Sequence, residues 1–435
     1  MNLMWQDKAL VGISLFFVSL GIFFITDQRI VGWDESVYIG MGKYITSLGS
    51  TGLWEDIRPP ALPLLLGITW KLGIPYGVVP MIFGLATILL LYIFFRQECP
   101  TLGLLAALLY VASPLFIENS YLTLTHVPAA FFILLAALIY TKHHSFFVGC
   151  CVGIATLFRF PLGIELVAFG LLYLYNQKYR DVLFLMTGFS VFIIPFFVFN
   201  VFMYGTITSS LWDAALRPFI FAFAHQSNPF HSGSSFFYIV ELVSLNTLFI
   251  CALFTRKKNI VILALFPLLY LSLITNKQSR FLLDILPLLV ILSADGVARI
   301  YHSAKELRLA SVVVCVLFIA QLLSAVQIST PARWHDDELL LFFRSFDNLQ
   351  SPTITTTPLP AAYSNHLFLP IYDNPYVALQ LYPRFAESAH YILYTDDFYP
   401  CADERCSTKK EMLYSTISQH ELVFNMTSFL LFQLE

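Results

Sequence analysis

Charge is what this sequence has least of. Asp, Glu, Lys and Arg together make up 12% of its 435 residues, about half the share usual in a water-soluble chain. A soluble globule of that length needs polar residues to cover its surface. With 57% hydrophobic residues, 16% aromatics and a mean hydropathy of +0.72, too few are left, so lipid stands in for water as the solvent. The formal net charge of -3 gathers into no basic stripe, which argues against nucleic acid as a partner. Repeats and low-complexity segments are also lacking. No histidine pair has the i, i+4 spacing of a helical metal site: His225 and His231 sit in the loop 205–235, which also holds Asp213 and Arg217, and none of these is assigned to a metal.

What the chain has instead is apolar runs: 9–26, 78–95, 101–117, 128–140, 145–160, 162–175, 182–204, 236–254, 260–275, 281–298 and 309–326. The expectation is a mainly α, polytopic cell-membrane protein with about eleven transmembrane helices. The segment 59–74 is apolar too, but it opens on Pro59 and Pro60, carries Pro63 and Lys71 and closes on Gly73 and Pro75. If it does not cross, Lys8, Arg96, Lys142, Lys178, Arg180, the Arg256-Lys257-Lys258 run, Arg299, Lys305 and Arg308 all fall on one side, as the positive-inside rule requires. It is therefore read as an outer interfacial or re-entrant segment, with the N-terminus cytoplasmic and the C-terminal domain external. No small-x-small site follows Thr26, so the first run is expected to stay as an uncleaved signal anchor.

After Val326 the composition shifts. His335-Asp336-Asp337-Glu338 opens a helical stretch, and short strands such as 391–394 and 429–432 alternate with polar helices. The expected division is a transmembrane catalytic domain over 1–328, with an outer loop 27–77, and a small external α/β domain over 329–435. Cys99, Cys150, Cys151, Cys251 and Cys315 lie in or beside apolar runs and read as small buried hydrophobes. Cys401 and Cys406 share a polar loop without nearby histidines, which suits a local disulfide outside a reducing cytosol better than zinc. The sequon Asn425-Met426-Thr427 in the same domain permits external glycosylation.

Ionisable groups gather on the expected outer face. In Gly32-Trp33-Asp34-Glu35-Ser36-Val37-Tyr38 two adjacent carboxylates follow directly on a membrane helix, a costly position unless they face a wet cavity, hold a cation or act as a base. Val37, Tyr38, Met41, Tyr44, Ile45 and Leu48 recur behind them at helical spacing, with Gly49 as terminator. This reads as an amphipathic helix lying on the bilayer, and the plainest role for Asp34 is its N-cap, with Glu35 a solvated first-turn acid. Arg58, Arg159, Lys277 and Arg280 each stand where an apolar segment meets the same interface. One alone reads as a cation snorkelling to headgroups; several together suit an anionic ligand such as a lipid phosphate. Glu118 and His126 complete the second outer loop.

The order of these pieces resembles a known family. An acidic Asp34-Glu35 followed by an aromatic helix, then Arg58-Pro59-Pro60-Ala61-Leu62-Pro63, then Ala112-Ser113-Pro114 to Pro128, Gly153 to Arg159, and Arg280-Phe281-Leu282 to Pro287 is similar to the GT-C glycosyltransferases of the protein O-mannosyltransferase and aminoarabinose-lipid A transferase type. The resemblance covers roughly the first 300 residues. It implies a polyprenyl (dolichyl)-phosphate-linked sugar as donor and a protein, lipid or glycan as acceptor. The residues themselves agree chemically: Asp34, with Glu35 the next candidate, suits the catalytic carboxylate, and Arg58 and Arg280, with Arg159 and Lys277 next, suit the donor phosphate. One departure concerns the second outer loop, where these enzymes often place an acid before the proline and this chain has Thr125-His126-Val127-Pro128. Either Glu118 takes that part, or His126 does different work, or the acceptor needs no acid there. A divalent metal at Asp34 and Glu35 remains an option, but arginines available for the phosphate favour a metal-independent enzyme. A lipid or solute transporter is the alternative, though no paired Gly/Pro-broken helices point to one.

Overall fold

The computed structural model describes residues 4–26, 30–205, 233–245, 247–274, 276–303, 336–372, 375–398, 401, 404–426 and 428–434. The expected span 309–326, Cys315, His335, and Asp213, Arg217, His225 and His231 lie outside the described residues. Along the chain the helices are α1 (Trp5–Thr26), α2 (Trp33–Thr46), α3 (Ala61–Lys71), α4 (Val78–Arg96), α5 (Pro100–Val111), α6 (Pro114–Asn119), α7 (His126–Thr141), α8 (Ser145–Phe158), α9 (Ile164–Tyr175) and α10 (Tyr179–Tyr204). There follow α11 (Phe237–Leu245), α12 (Lys258–Leu273), α13 (Leu286–Ser303), α14 (Asp337–Ser345), α15 (Leu359–Tyr363), α16 (Pro375–Ala386) and α17 (Glu404–Ile417), with strands β1 (Thr353–Thr355), β2 (Phe368–Pro370), β3 (Tyr391–Thr395), β4 (Glu421–Met426) and β5 (Phe429–Gln433).

The chain divides into two compact units. One runs over Met1–Asp27, Gly77–Gln226 and Gly233–Ala332; the other over Gln28–Tyr76, Ser227–Ser232 and Arg333–Glu435.

The first unit holds the long apolar helices. Among the described residues, Trp5–Ile25, Val78–Arg96 and Tyr179–Phe202 are long and apolar enough to cross a bilayer, and several of the other expected runs form apolar helices of 10–17 residues. The run 236–254 is broken into α11 and a 3-10 segment, Thr247–Phe254. Small residues let backbones meet where helices cross without a side-chain layer between them. A Cβ on Gly153 of α8, for example, would lie 3.1 Å from the Phe189 carbonyl oxygen of α10.

The second unit holds a five-stranded sheet in the order β2-β1-β3-β5-β4. β1 pairs in parallel with β2 and β3, and β5 runs antiparallel to β3 and β4. Its core also takes in residues of the loop 27–77. Val37 and Met41 of α2 and Leu53 behind it are fully buried in one cluster with Phe343, Ile354, Phe368 and Ile392. Backbone pairing extends the union: Gly52 donates to the His366 carbonyl at 2.8 Å and accepts from Phe368 N–H at 2.8 Å. The apolar face of α2 is therefore packed against protein, not laid on a bilayer. Hydrophobic periodicity marks a face to be buried and does not say what buries it. α3, at 11 residues, is about half the ~20 residues that a span needs.

Candidate functional site

Two clusters of ionisable groups stand out, one in each unit. In the sheet-bearing unit, the turn before α2 sets the first. Gly32 is the N-cap, with extended backbone at φ -71°, ψ 172°, so Asp34 is not the cap that the sequence suggested. Glu35, three residues into the motif, does that work instead: its Oε2 accepts the Gly32 N–H at 3.0 Å, and the residue is 4% exposed. A carboxylate at this position satisfies an orphan helix donor and complements the helix dipole. Asp34 turns the other way, with its side chain 22% exposed, and pairs with Arg58 (Oδ1 to Nη2, 3.0 Å).

Arg58 is shared. Its Nε donates to Glu55 Oε1 at 2.8 Å, and its guanidinium carbon lies 5.6 Å from the Tyr38 ring centroid. The other oxygen of Glu55 accepts from the Tyr372 hydroxyl at 3.1 Å. Burial raises the Glu55 carboxyl above its usual range, against the pull of Arg58 and of the Tyr372 hydroxyl. Burial also works against the Arg58 charge, but Glu55 and Asp34 more than offset it and hold the guanidinium well above its ordinary value. Arg58, expected at a phosphate, thus stands between two carboxylates.

The second cluster is in the first unit. Arg159 follows the end of α8 with extended backbone, at φ -154° and ψ 102°, because Pro161 and the 3-10 turn Phe160–Gly163 stop the helix there. Its Nε donates to Asp284 Oδ2, and its guanidinium lies 4.5 Å from the Phe281 ring centroid. Asp284 Oδ1 is 3.0 Å from His126 Nδ1, and both side chains are buried. The second outer loop thus places an imidazole, not an acid, against Asp284. His126 and Asp284 are buried and Arg159 is partly exposed beside them.

Arg280 lies in the same 3-10 turn as Asp284, Ser279–Asp284, and its Nε donates to Gln278 Oε1 at 2.6 Å. Lys277 donates to the carbonyl oxygens of Leu271 and Ser272, each at 2.7 Å, so part of its ammonium is spent on the C-terminal end of α12. Burial lowers its amino group to about 8. Glu118 falls in α6, where burial raises its carboxyl. Among the described residues, no group of three or more His, Cys, Asp or Glu side chains has the geometry to hold a metal. Cys401 and Cys406 are joined by a disulfide, with Cα atoms 5.4 Å apart.

Sequence reasoning missed Glu55, Asp284 and Tyr372. Glu55 stands three residues before Arg58 and Asp284 four after Arg280, so both were within reach as acids beside a chosen cation. Tyr372 is over three hundred positions from the groups it joins, and nothing local marks it.

No family model and no curated protein sequence matches the chain. Solved structures do. The chain superposes on ArnT from Cupriavidus metallidurans bound to undecaprenyl phosphate at 13% identity, over 98% of each chain, with a TM-score of 0.64. It superposes on the Archaeoglobus fulgidus oligosaccharyltransferase tethered with an acceptor peptide at 13% identity, over 90% of this chain and 69% of that one, with a TM-score of 0.62. The archaeal oligosaccharyltransferase AglB in complex with an inhibitory peptide and a dolichol-phosphate gives 12% identity, the same coverages and a TM-score of 0.58. The chain has the fold of the GT-C glycosyltransferases.

Proposed function

We propose that the protein is a glycosyltransferase that moves a sugar from a polyprenyl-phosphate-linked donor to a hydroxyl of an acceptor at the outer face of the cell membrane. The observation that carries this reading is the likeness over 98% of both chains to a transferase solved with undecaprenyl phosphate. The chemistry of the two clusters supports it. In such a transfer the bond from the sugar carbon to the phosphate oxygen breaks, a bond to the acceptor oxygen forms, and the acceptor's proton must leave. Asp34 takes that proton as general base, held by Arg58. The departing lipid phosphate gains negative charge, and Arg280, with Arg159 and Lys277 beside it in the chain's basic cluster, stabilises it. Asp284 and His126 hold Arg159 in place. A hexose such as mannose is the first donor sugar to try.

The placement of Lys and Arg supports a matching topology: N-terminus cytoplasmic, segment 59–74 and the sheet domain external. Binding of lipid phosphate tests the function. Undecaprenyl or dolichyl phosphate should raise the thermal unfolding temperature of the detergent-purified protein, and Arg280→Ala should abolish the shift. Equal stabilisation by the matching polyprenol, which lacks the phosphate, would overturn the reading.

A further inference from the structure

Beyond the Gly52 pairing, polar side chains tie the Asp34 segment to the C-terminal part of its own unit at two levels. Lys43 and Tyr363 hold the backbone. The Lys43 ammonium in α2 donates to the carbonyl oxygens of Ala361 and Ala362 at 3.0 Å and of Ser364 at 2.9 Å, so all three of its donors meet the end of α15. Just ahead of α2, the Val31 N–H reaches the Tyr363 hydroxyl at 2.6 Å. Tyr372 and Glu55 hold the Asp34 side chain through Arg58. From the Tyr372 hydroxyl the chain of contacts runs to Glu55 Oε2 (3.1 Å), from Glu55 Oε1 to Arg58 Nε (2.8 Å) and from Arg58 Nη2 to Asp34 Oδ1 (3.0 Å). The Tyr372 ring also packs edge-on to Trp33, the neighbour of Asp34, with centroids 5.0 Å apart.

We infer that Tyr372 is a positioning residue for the transfer, fixing the Asp34 carboxylate through Glu55 and Arg58 so that one guanidinium is shared between two acids. The inference rests on the reading of Asp34 as the base. Sharing matters to a base. Were Arg58 paired with Asp34 alone, its full attraction would favour the ionised carboxylate and weaken it as a proton acceptor. With Glu55 on the other side, Arg58 keeps a counter-ion after Asp34 has taken the proton, and no partly buried charge is stranded. Tyr372 aims Glu55 by donating to the oxygen that Arg58 does not use. The external domain is by this account a working part of the transferase.

The test is steady-state transfer by the full-length protein from pH 5.5 to 9, for Tyr372→Phe, Glu55→Gln, the double variant and Asp34→Asn. Glu55→Gln leaves Arg58 to Asp34 alone. The acidic limb of kcat should move about one unit lower in pH, with the plateau rate down by about tenfold and the donor KM unchanged. Tyr372→Phe keeps the ring against Trp33 and should lower kcat by a smaller factor, again without change in donor KM. Because Tyr372 acts through Glu55, the double variant should match Glu55→Gln alone. Losses that multiply in the double variant, or wild-type rates and pH profiles in both single variants, overturn the inference. Asp34→Asn separates the two readings. If it turns over like wild type, the base assignment fails. If it is inactive while the Tyr372 and Glu55 variants are normal, only the positioning role fails.

Discussion

Two neighbouring carboxylates, Asp34 and Glu35, have opposite environments because one points back to cap the helix and the other forward to Arg58. Removing the cap should cost stability: Glu35→Ala is expected to destabilise the unit by about 1 kcal/mol, with Glu35→Gln restoring most of it, read from thermal unfolding. A second single-residue effect concerns pH. His366 is buried, with its Nε2 3.0 Å from Thr353 Oγ1, and burial lowers its pKa despite the opposing pull of Asp347. The unfolded chain therefore binds the proton more readily than the folded one. Stability present above the imidazole's ordinary value of about 6.5 is lost as pH falls through it. Relative to the intrinsic exchange rate at each pH, the protection of the β1 and β2 amides should fall between pH 7.5 and 5.5, and His366→Gln should flatten that dependence. At this scale Asp34 and Arg58 were legible because each is a charge in an apolar setting. Their mutual pairing was not, since an ion pair needs geometry that a sequence does not carry.

Elements were legible by position and misread by environment. The helix over α2 and the strands near 391 and 429 follow from spacing. The packing of α2 into the sheet's core depends on Leu53, Phe343 and Phe368 arriving from distant parts of the chain. α2 also meets α3 closely: a Cβ on Gly42 would stand 2.7 Å from the Pro63 carbonyl oxygen and 2.8 Å from Gly67 N. Backbone on both sides leaves no flexible atom to move, so Gly42→Ala should destabilise this unit by roughly 1–3 kcal/mol in thermal or denaturant unfolding. Lys43→Met removes the donor for three buried carbonyls. It should cost on the order of 3 kcal/mol, with Lys43→Arg recovering part.

The whole molecule is the scale at which the sequence was most informative. Scarce charge and long apolar runs pointed to a membrane protein, and the order of acid, arginine and proline motifs pointed to the GT-C fold, which the solved structures share at 13% identity. Where the chain divides was harder to see, because the loop 28–76 joins a domain that begins more than 250 residues later. The sidedness proposed from Lys and Arg placement is open to labelling. Cysteine at position 408, and not at 303, should react with an impermeant reagent added outside, and the reverse pattern would invert the topology.

The central claim is the transfer reaction itself. Purified protein in detergent, given a polyprenyl-phosphate sugar radiolabelled in the sugar, should release free polyprenyl phosphate and pass the label to acceptor or water, and Asp34→Asn should lower that turnover by about 10² to 10⁴. Donors carrying several sugars, mannose first, should be presented in turn. Bound donor recovered intact from every preparation, with label neither transferred nor released, would contradict the account and leave a protein that carries its lipid without chemistry.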